Sequence, residues 1–216
     1  MNVQLLDLAC GALLLTAVLI LWRRELAVIV RMFALQGVAL AGLVAVLAAG
    51  EGAAELWVAA AGILVLRAGV LPWLLRRALS RAGGAARETR PVVNVAASLL
   101  TAAVLTLLAY AVSPPLVALA PSAATQAIPV GVTVVLIGFF VLVTRRRALS
   151  QLVGFLLLDN GITAVGFLTT TSVGLLVEAA ISLDVLLAVL VLQILTTRIR
   201  ETFGDIDLDE LRELHD

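Results

Sequence analysis

The sequence has no lysine, because all fifteen of its basic residues are arginine, and its one histidine is the next-to-last residue, His215. A nucleotide-binding P-loop requires a lysine, so that motif is excluded. A single histidine cannot supply both axial ligands of a bis-histidine haem. The single cysteine, Cys10, excludes an internal disulfide and a four-thiolate cluster. We therefore expect no metal, no cofactor and no catalytic residue in this chain, so that any redox or nucleotide chemistry belongs to a partner.

Charged residues are also scarce, at 14% of the chain, whereas 62% of the residues are hydrophobic and the mean hydropathy is +1.12. Such a composition is typical of a protein embedded in the lipid bilayer. A membrane-spanning helix needs about 20 apolar residues. The sequence predicts an all-α polytopic membrane protein with seven such helices, at 3–22, 27–49, 55–75, 91–113, 127–144, 149–170 and 174–197.

The arginines recur in every second connection, after the first, third, fifth and seventh helices, and the other connections contain none. The positive-inside rule then predicts a multi-pass protein of the inner (cytoplasmic) membrane, with its N-terminus outside and its C-terminus in the cytoplasm. No basic segment precedes the first apolar run, Asp7 stands where a lipoprotein signal needs an apolar residue, and Cys10 comes before most of the run. We therefore expect a spanning helix there and not a cleaved signal peptide. The net charge of zero argues against a nucleic-acid partner.

The chain shows a weak internal repeat at an offset of 124 residues, which aligns Gln36 and Gly37 with Asn160 and Gly161. An offset of four helices preserves orientation, so the pattern predicts a parallel repeat of helices 1–3 and 5–7. The predicted organisation is an N-terminal three-helix unit (1–90), a connecting helix with an outer loop (91–126), a second three-helix unit (127–200) and a cytoplasmic tail (201–216).

Two arginines, Arg31 and Arg67, fall inside the predicted apolar helices. Charged side chains in lipid usually face the protein interior and find partners. Arg31 lies about five residues from the cytoplasmic edge, where a long side chain can extend to the water boundary. Arg67 lies some eight residues from that edge, so we expect it to face the bundle and to contact an acid or water.

Three acids also fall inside predicted helices: Asp159, which is followed by Asn160, and Glu178 and Asp184. Asp159 lies near the middle of the sixth helix. Asp184 follows Glu178 by six positions, a rotation of about 240° in a helix, so these two acids point to different faces. Burial raises the pKa of a carboxylic acid and a nearby arginine lowers it, so a moving charge can switch such a group. We expect the three acids to transfer protons, with Asn160, Arg67 and Arg31 as supporting partners; the alternative is a set of purely structural ion pairs or hydrogen bonds.

The segments "TRRRALSQLVGFLLLDNGITAVGFL" and "LLVEAAISLDVLLAVLVLQILTTRIR" resemble the K-type membrane subunits of respiratory complex I and of related antiporters. Together with the tail "LTTRIRETFGDIDLDELRELHD", the seven-helix pattern is similar to component E of hydrogenase-4 and formate hydrogenlyase complexes. The K-type resemblance covers residues 127–197. It implies a non-catalytic subunit of an ion-pumping oxidoreductase complex.

The resemblance implies that Glu178 corresponds to the glutamate of the family's third helix, Gly154 to its glycine and Asn160 to its asparagine. The glutamate of the family's second helix is replaced by Leu156 in this sequence. A carboxylate follows three residues later as Asp159, on nearly the same face of the helix and about 4.5 Å along it.

We therefore interpret the chain as a membrane subunit of a complex I-like, group 4 [NiFe]-hydrogenase-type assembly. It would link antiporter-like membrane subunits to the redox module and supply carboxylates for proton or sodium translocation. Two alternatives stay open. A standalone cation or proton antiporter also needs a mid-membrane acid, although only 5% of the residues here are aromatic. A purely structural membrane scaffold would need the helices without the acids.

Overall fold

The computed structural model describes residues 3–81, 93–146 and 148–169, and these residues form helices and connections without a β-strand. The α-helices are α1 (Val3–Trp22), α2 (Leu26–Glu51), α3 (Ala54–Ile63), α4 (Leu71–Arg81), α5 (Val95–Val112), α6 (Pro114–Leu119), α7 (Ile128–Thr144) and α8 (Ala148–Thr169). A π-helical segment (Leu64–Val70) joins α3 to α4, and a 3₁₀ turn (Thr125–Ala127) precedes α7.

Six helical stretches are long and apolar enough to cross a membrane. The predicted all-α polytopic membrane fold is therefore confirmed. Most of the first six predicted spans agree with the helices to within a few residues. The fourth differs at its start, because the side chain of Asn94 accepts a hydrogen bond from the backbone N–H of Ala97 and caps a helix that begins at Val95. The seventh predicted span, 174–197, lies outside the described residues.

The third span is one continuous stretch made of α3, the π-helical segment and α4. In the π-helical segment the backbone N–H of Leu71 donates to the carbonyl of Leu66, five residues back. An α-helix would bond four residues back. Short π-helical segments inside α-helices are rare and often occur at functional sites. The extra residue in this turn changes the direction in which the side chain of Arg67 leaves the helix.

Helices α1, α2, α8 and α7 form a ring in which each helix packs against the next and α7 returns to α1. Helix α5 lies at the periphery against α1 and α7, and only 17% of its span is buried. The predicted repeat pairs α1 with α7 and α2 with α8. Both of these pairs are in direct contact in the ring. These contacts do not test the repeat, which stays a prediction.

The tightest packing in the described part of the chain is between α7 and α8. Four glycines lie in this contact: Gly131 and Gly138 from α7, and Gly154 and Gly161 from α8. A Cβ atom on Gly161 would lie 2.5 Å from the backbone nitrogen of Val135, and one on Gly154 would lie 2.6 Å from that of Leu142. Small residues at such contacts let two membrane helices approach closely. The glycines therefore fix the position of α8, which carries Asp159.

Candidate functional site

The centre of the bundle contains a buried ion pair between the third span and α8. A guanidinium nitrogen (Nη2) of Arg67 lies 2.6 Å from Oδ2 of Asp159, and the two side chains are 1% and 8% exposed. Nη2 also donates a hydrogen bond to the Thr163 hydroxyl at 2.9 Å, and Nη1 donates to Oδ1 of Asn160. One turn of α8 therefore surrounds the guanidinium with a carboxylate, an amide oxygen and a hydroxyl.

The hydrogen bonding continues from Asn160 to α2 and then to α1. The side-chain amide of Asn160 donates to Oε1 of Gln36 at 3.0 Å. The amide of Gln36 in turn makes a weak bond, 3.5 Å long, to the carbonyl oxygen of Leu13. Gln36 and Asn160 are both fully buried. We call the side chains of Gln36, Arg67, Asp159, Asn160 and Thr163 the polar cluster.

The backbone of the π-helical segment reaches the cluster because α2 has a glycine at the crossing. A Cβ atom on Gly37 would lie 2.8 Å from the backbone nitrogen of Ala68 and 2.8 Å from the carbonyl carbon of Arg67. A larger residue would therefore push the third span away from α2. The sequence pair Gln36-Gly37 thus has two roles. Gln36 continues the hydrogen bonding from Asn160 to α1, and Gly37 lets the backbone at Arg67 pack closely against α2.

The polar cluster lies at mid-depth of the helices that form it. Asp159 is 11 residues from the first residue of α8 and 10 from the last. At a rise of 1.5 Å per residue it is about 15 Å from either end, which is the middle of an apolar layer about 30 Å thick. Gln36 is likewise close to the middle of α2, whose 26 residues begin at Leu26. The charges therefore lie where an unpaired ion would be most costly.

The structure divides the residues predicted for the site into three groups. It brings Arg67, Asp159 and Asn160 together, so the expected bundle-facing contact of Arg67 is an ion pair with Asp159. It exposes the side chain of Arg31 on α2, outside the polar cluster. The other two predicted acids, Glu178 and Asp184, lie outside the described residues, and their part in proton transfer stays a prediction.

Sequence reasoning did not identify Gln36 and Thr163 as parts of this site. Gln36 was notable only as the repeat partner of Asn160, and these two residues, 124 positions apart, are hydrogen-bonded to each other. A buried glutamine in an apolar helix is a signal that could have been used, because buried amides need partners. Thr163 gave no such signal, because a threonine in a membrane helix can bond its own backbone.

These features define a polytopic helical membrane protein with a buried charged cluster. The chain is 50% identical over 212 residues, 98% of its own length and 96% of the relative's, to the uncharacterized protein Rv0085 of Mycobacterium tuberculosis. It belongs to the same family as that protein. It is 25% identical over 204 residues, 94% of each chain, to hydrogenase-4 component E of Escherichia coli K12, and equally similar to that of Shigella flexneri. No family model and no solved structure matches the chain.

Proposed function

We propose that this chain is a membrane-arm subunit of a complex I-like assembly of the group 4 hydrogenase type. We also propose that Asp159 is one of the carboxylates that take part in the translocation of protons or sodium ions by that assembly. The similarity to hydrogenase-4 component E over 94% of the chain supports membership of a multi-subunit hydrogenase-like membrane complex. In the proposed complex, antiporter-like subunits lie on one side of the chain and the redox module on the other. Glu178 and Asp184 would continue the path from Asp159.

The observation that carries the proposal is the ion pair of Arg67 with Asp159 at mid-depth. An ionisable side chain at the bilayer centre costs about 3 kcal/mol on insertion scales, so such residues are rare and usually mark ion pathways. A purely structural scaffold would not need this ion pair, because apolar side chains of the same volume between the third span and α8 often stabilise a protein as much as a buried ion pair does.

The geometry also explains how the charge on Asp159 could change without leaving Arg67 unsolvated. When a proton neutralises Asp159, the ion pair is lost, but the guanidinium keeps its bonds to Asn160 and Thr163. Hydrogen bonds to a charged group contribute roughly 1.5–3 kcal/mol each. The arginine is therefore held in both charge states of the acid, which lowers the energy difference between them.

The test replaces Asp159 with asparagine in the complete complex. Asp159→Asn preserves the shape and most hydrogen bonding of the side chain but removes the exchangeable proton. We expect the complex to assemble with a lower thermal stability and to keep its redox chemistry with a soluble artificial acceptor. Ion translocation in reconstituted vesicles, measured per assembled complex, should fall by at least about tenfold, as expected for a lost proton-transfer group. Glu178→Gln is expected to behave in the same way.

Thr163→Ala is the matched control, because it removes another partner of Arg67 without removing a titratable group. We expect this variant to lose less translocation than Asp159→Asn, because the titratable group remains and only one of the two hydrogen bonds that hold Arg67 when Asp159 is neutral is removed. Parental translocation by Asp159→Asn would show that the acid is structural and would favour the scaffold. A standalone antiporter would instead exchange ions after purification without hydrogenase-like partners.

A further inference from the structure

The oxygen atoms of the polar cluster face hydrogen-bond donors that belong to the cluster itself. Oδ2 of Asp159 lies 2.6 Å from Nη2 of Arg67, and the same nitrogen donates to the hydroxyl oxygen of Thr163 at 2.9 Å. Oδ1 of Asn160 accepts from Nη1 of Arg67, and Oε1 of Gln36 accepts from the Asn160 amide at 3.0 Å. One oxygen from each of these four side chains therefore already faces a donor.

Three of these oxygens surround the guanidinium of Arg67 as oxygens surround a bound metal cation. Carboxylate and carbonyl oxygens are the ligands that hard metal ions take in proteins, and backbone carbonyls coordinate sodium in many membrane transporters. The side chain of Arg67 is 1% exposed and contacts the carboxylate of Asp159 directly. The chain thus holds a positive charge of its own against the acid to which a metal cation would bind.

A sodium ion bound to Asp159 would lie next to this fixed charge. Two unit charges about 4 Å apart repel each other enough, at an effective dielectric constant of about 20, to weaken binding roughly a thousandfold. Arginine keeps its charge in proteins, so deprotonation cannot relieve this repulsion. Sodium also needs oxygens to replace its hydration shell, and those of Asn160 and Thr163 accept hydrogen bonds from Arg67.

A proton can bind to Asp159 in the same surroundings, because it needs one lone pair and no shell of ligands. It forms an O–H bond with a carboxylate oxygen and removes the charge of the acid. The neutral acid gains a hydrogen-bond donor and keeps acceptor capacity. Arg67 keeps its bonds to Asn160 and Thr163. The cluster therefore accommodates both protonation states of Asp159 without any change in the position of Arg67.

We infer, on the basis of the proposed function, that Arg67 determines the ion specificity of this site and restricts Asp159 to protons by excluding sodium. The arginine acts through its charge and through its bonds to the oxygens that sodium would need. The π-helical segment and the close approach to Gly37 place its backbone for this contact. Removing the guanidinium should therefore convert the polar cluster into a site that accepts a small metal cation.

The ion that the parental complex moves is measured in reconstituted vesicles. Proton uptake and radioactive sodium uptake are followed in sodium chloride and in choline chloride, each at about 0.15 M so that charge screening is equal. We expect proton uptake that is lost in Asp159→Asn, and no sodium uptake that depends on this acid. Sodium uptake that Asp159→Asn abolishes would overturn the inference while supporting the proposed function. Parental pumping by Asp159→Asn would instead refute the proposed function.

A thermal measurement on the full-length chain, with any accompanying subunits, is independent of pumping. Arg67→Ser removes the guanidinium and leaves the oxygens of Asp159, Asn160 and Thr163 around the vacated space. Sodium about tenfold above its dissociation constant should raise the midpoint of this variant by roughly 3–6 °C relative to choline. The midpoint of the parent should not change.

Arg67→Lys is the matched control, because its ammonium group keeps a positive charge beside Asp159. Sodium should shift its midpoint as little as that of the parent. The same sodium shift in the parent and in both variants, or no shift in Arg67→Ser, would overturn the inference. If Arg67→Ser does not fold, the sodium uptake of the parental complex decides.

Discussion

Replacing either member of the Arg67–Asp159 ion pair alone is expected to destabilise the chain more than replacing both. At 2.6 Å between the charged atoms, the gross Coulomb attraction is about 6 kcal/mol at an effective dielectric constant of about 20. Removing both ions from water costs several kcal/mol each, so the net contribution of the intact pair is small. A single ion left behind keeps its own desolvation cost and loses the attraction.

We therefore expect Arg67→Met and Asp159→Asn each to lower the free energy of unfolding by about 3–5 kcal/mol. The double variant removes both charges and loses mainly the hydrogen bonds of Arg67 to Asn160 and Thr163, for which we expect about 1–2 kcal/mol. The two single effects together would then exceed the effect of the double variant by at least about 4 kcal/mol, which measures their coupling.

The assay is thermal stability of the full-length chain fused to a fluorescent protein, followed by size-exclusion chromatography of heated, detergent-solubilised membranes. At about 2–4 °C per kcal/mol for a chain of this length, each single variant should lower the midpoint by roughly 6–20 °C and the double variant by roughly 2–8 °C. Arg31→Met is the control, since that arginine is exposed outside the polar cluster. The reasoning is refuted if the double variant loses as much stability as the two single variants combined.

Two further predictions concern packing and topology. Gly161→Ala should destabilise the chain by about 1–3 kcal/mol, because its Cβ would lie 2.5 Å from the backbone nitrogen of Val135. Gly42→Ala is the control, because a Cβ atom there has nothing within 4 Å, and it should be neutral or stabilising in the same thermal assay. In a cysteine-free background, a cysteine at exposed Gln126 should react with an impermeant thiol reagent from outside the cell and one at exposed Glu25 should not; labelling of both from one side would contradict the N-outside arrangement.

The membrane spans could be predicted from the sequence because each depends on the length and hydropathy of one local stretch. The positions of Asp159 and Arg67 within apolar stretches were also visible there, since a charge in such a stretch stands out. The outer connection after α5 contains the short helix α6, which begins at two prolines that suit a first helical turn.

The sequence by itself determined that this chain crosses a membrane several times and that a few charges lie at depth within it. Only the tertiary structure decided which of those charges meet. Arg67 pairs with Asp159 and bonds the neighbouring Asn160, which is 93 positions away, and these contacts depend on the π-helical turn and on the close approach at Gly37. Neither can be predicted from local composition, because the residues of the π-helical segment suit an ordinary α-helix equally well. Pairing of buried groups is set by how whole helices pack, and it is that packing which gives Gln36 and Thr163 their partners.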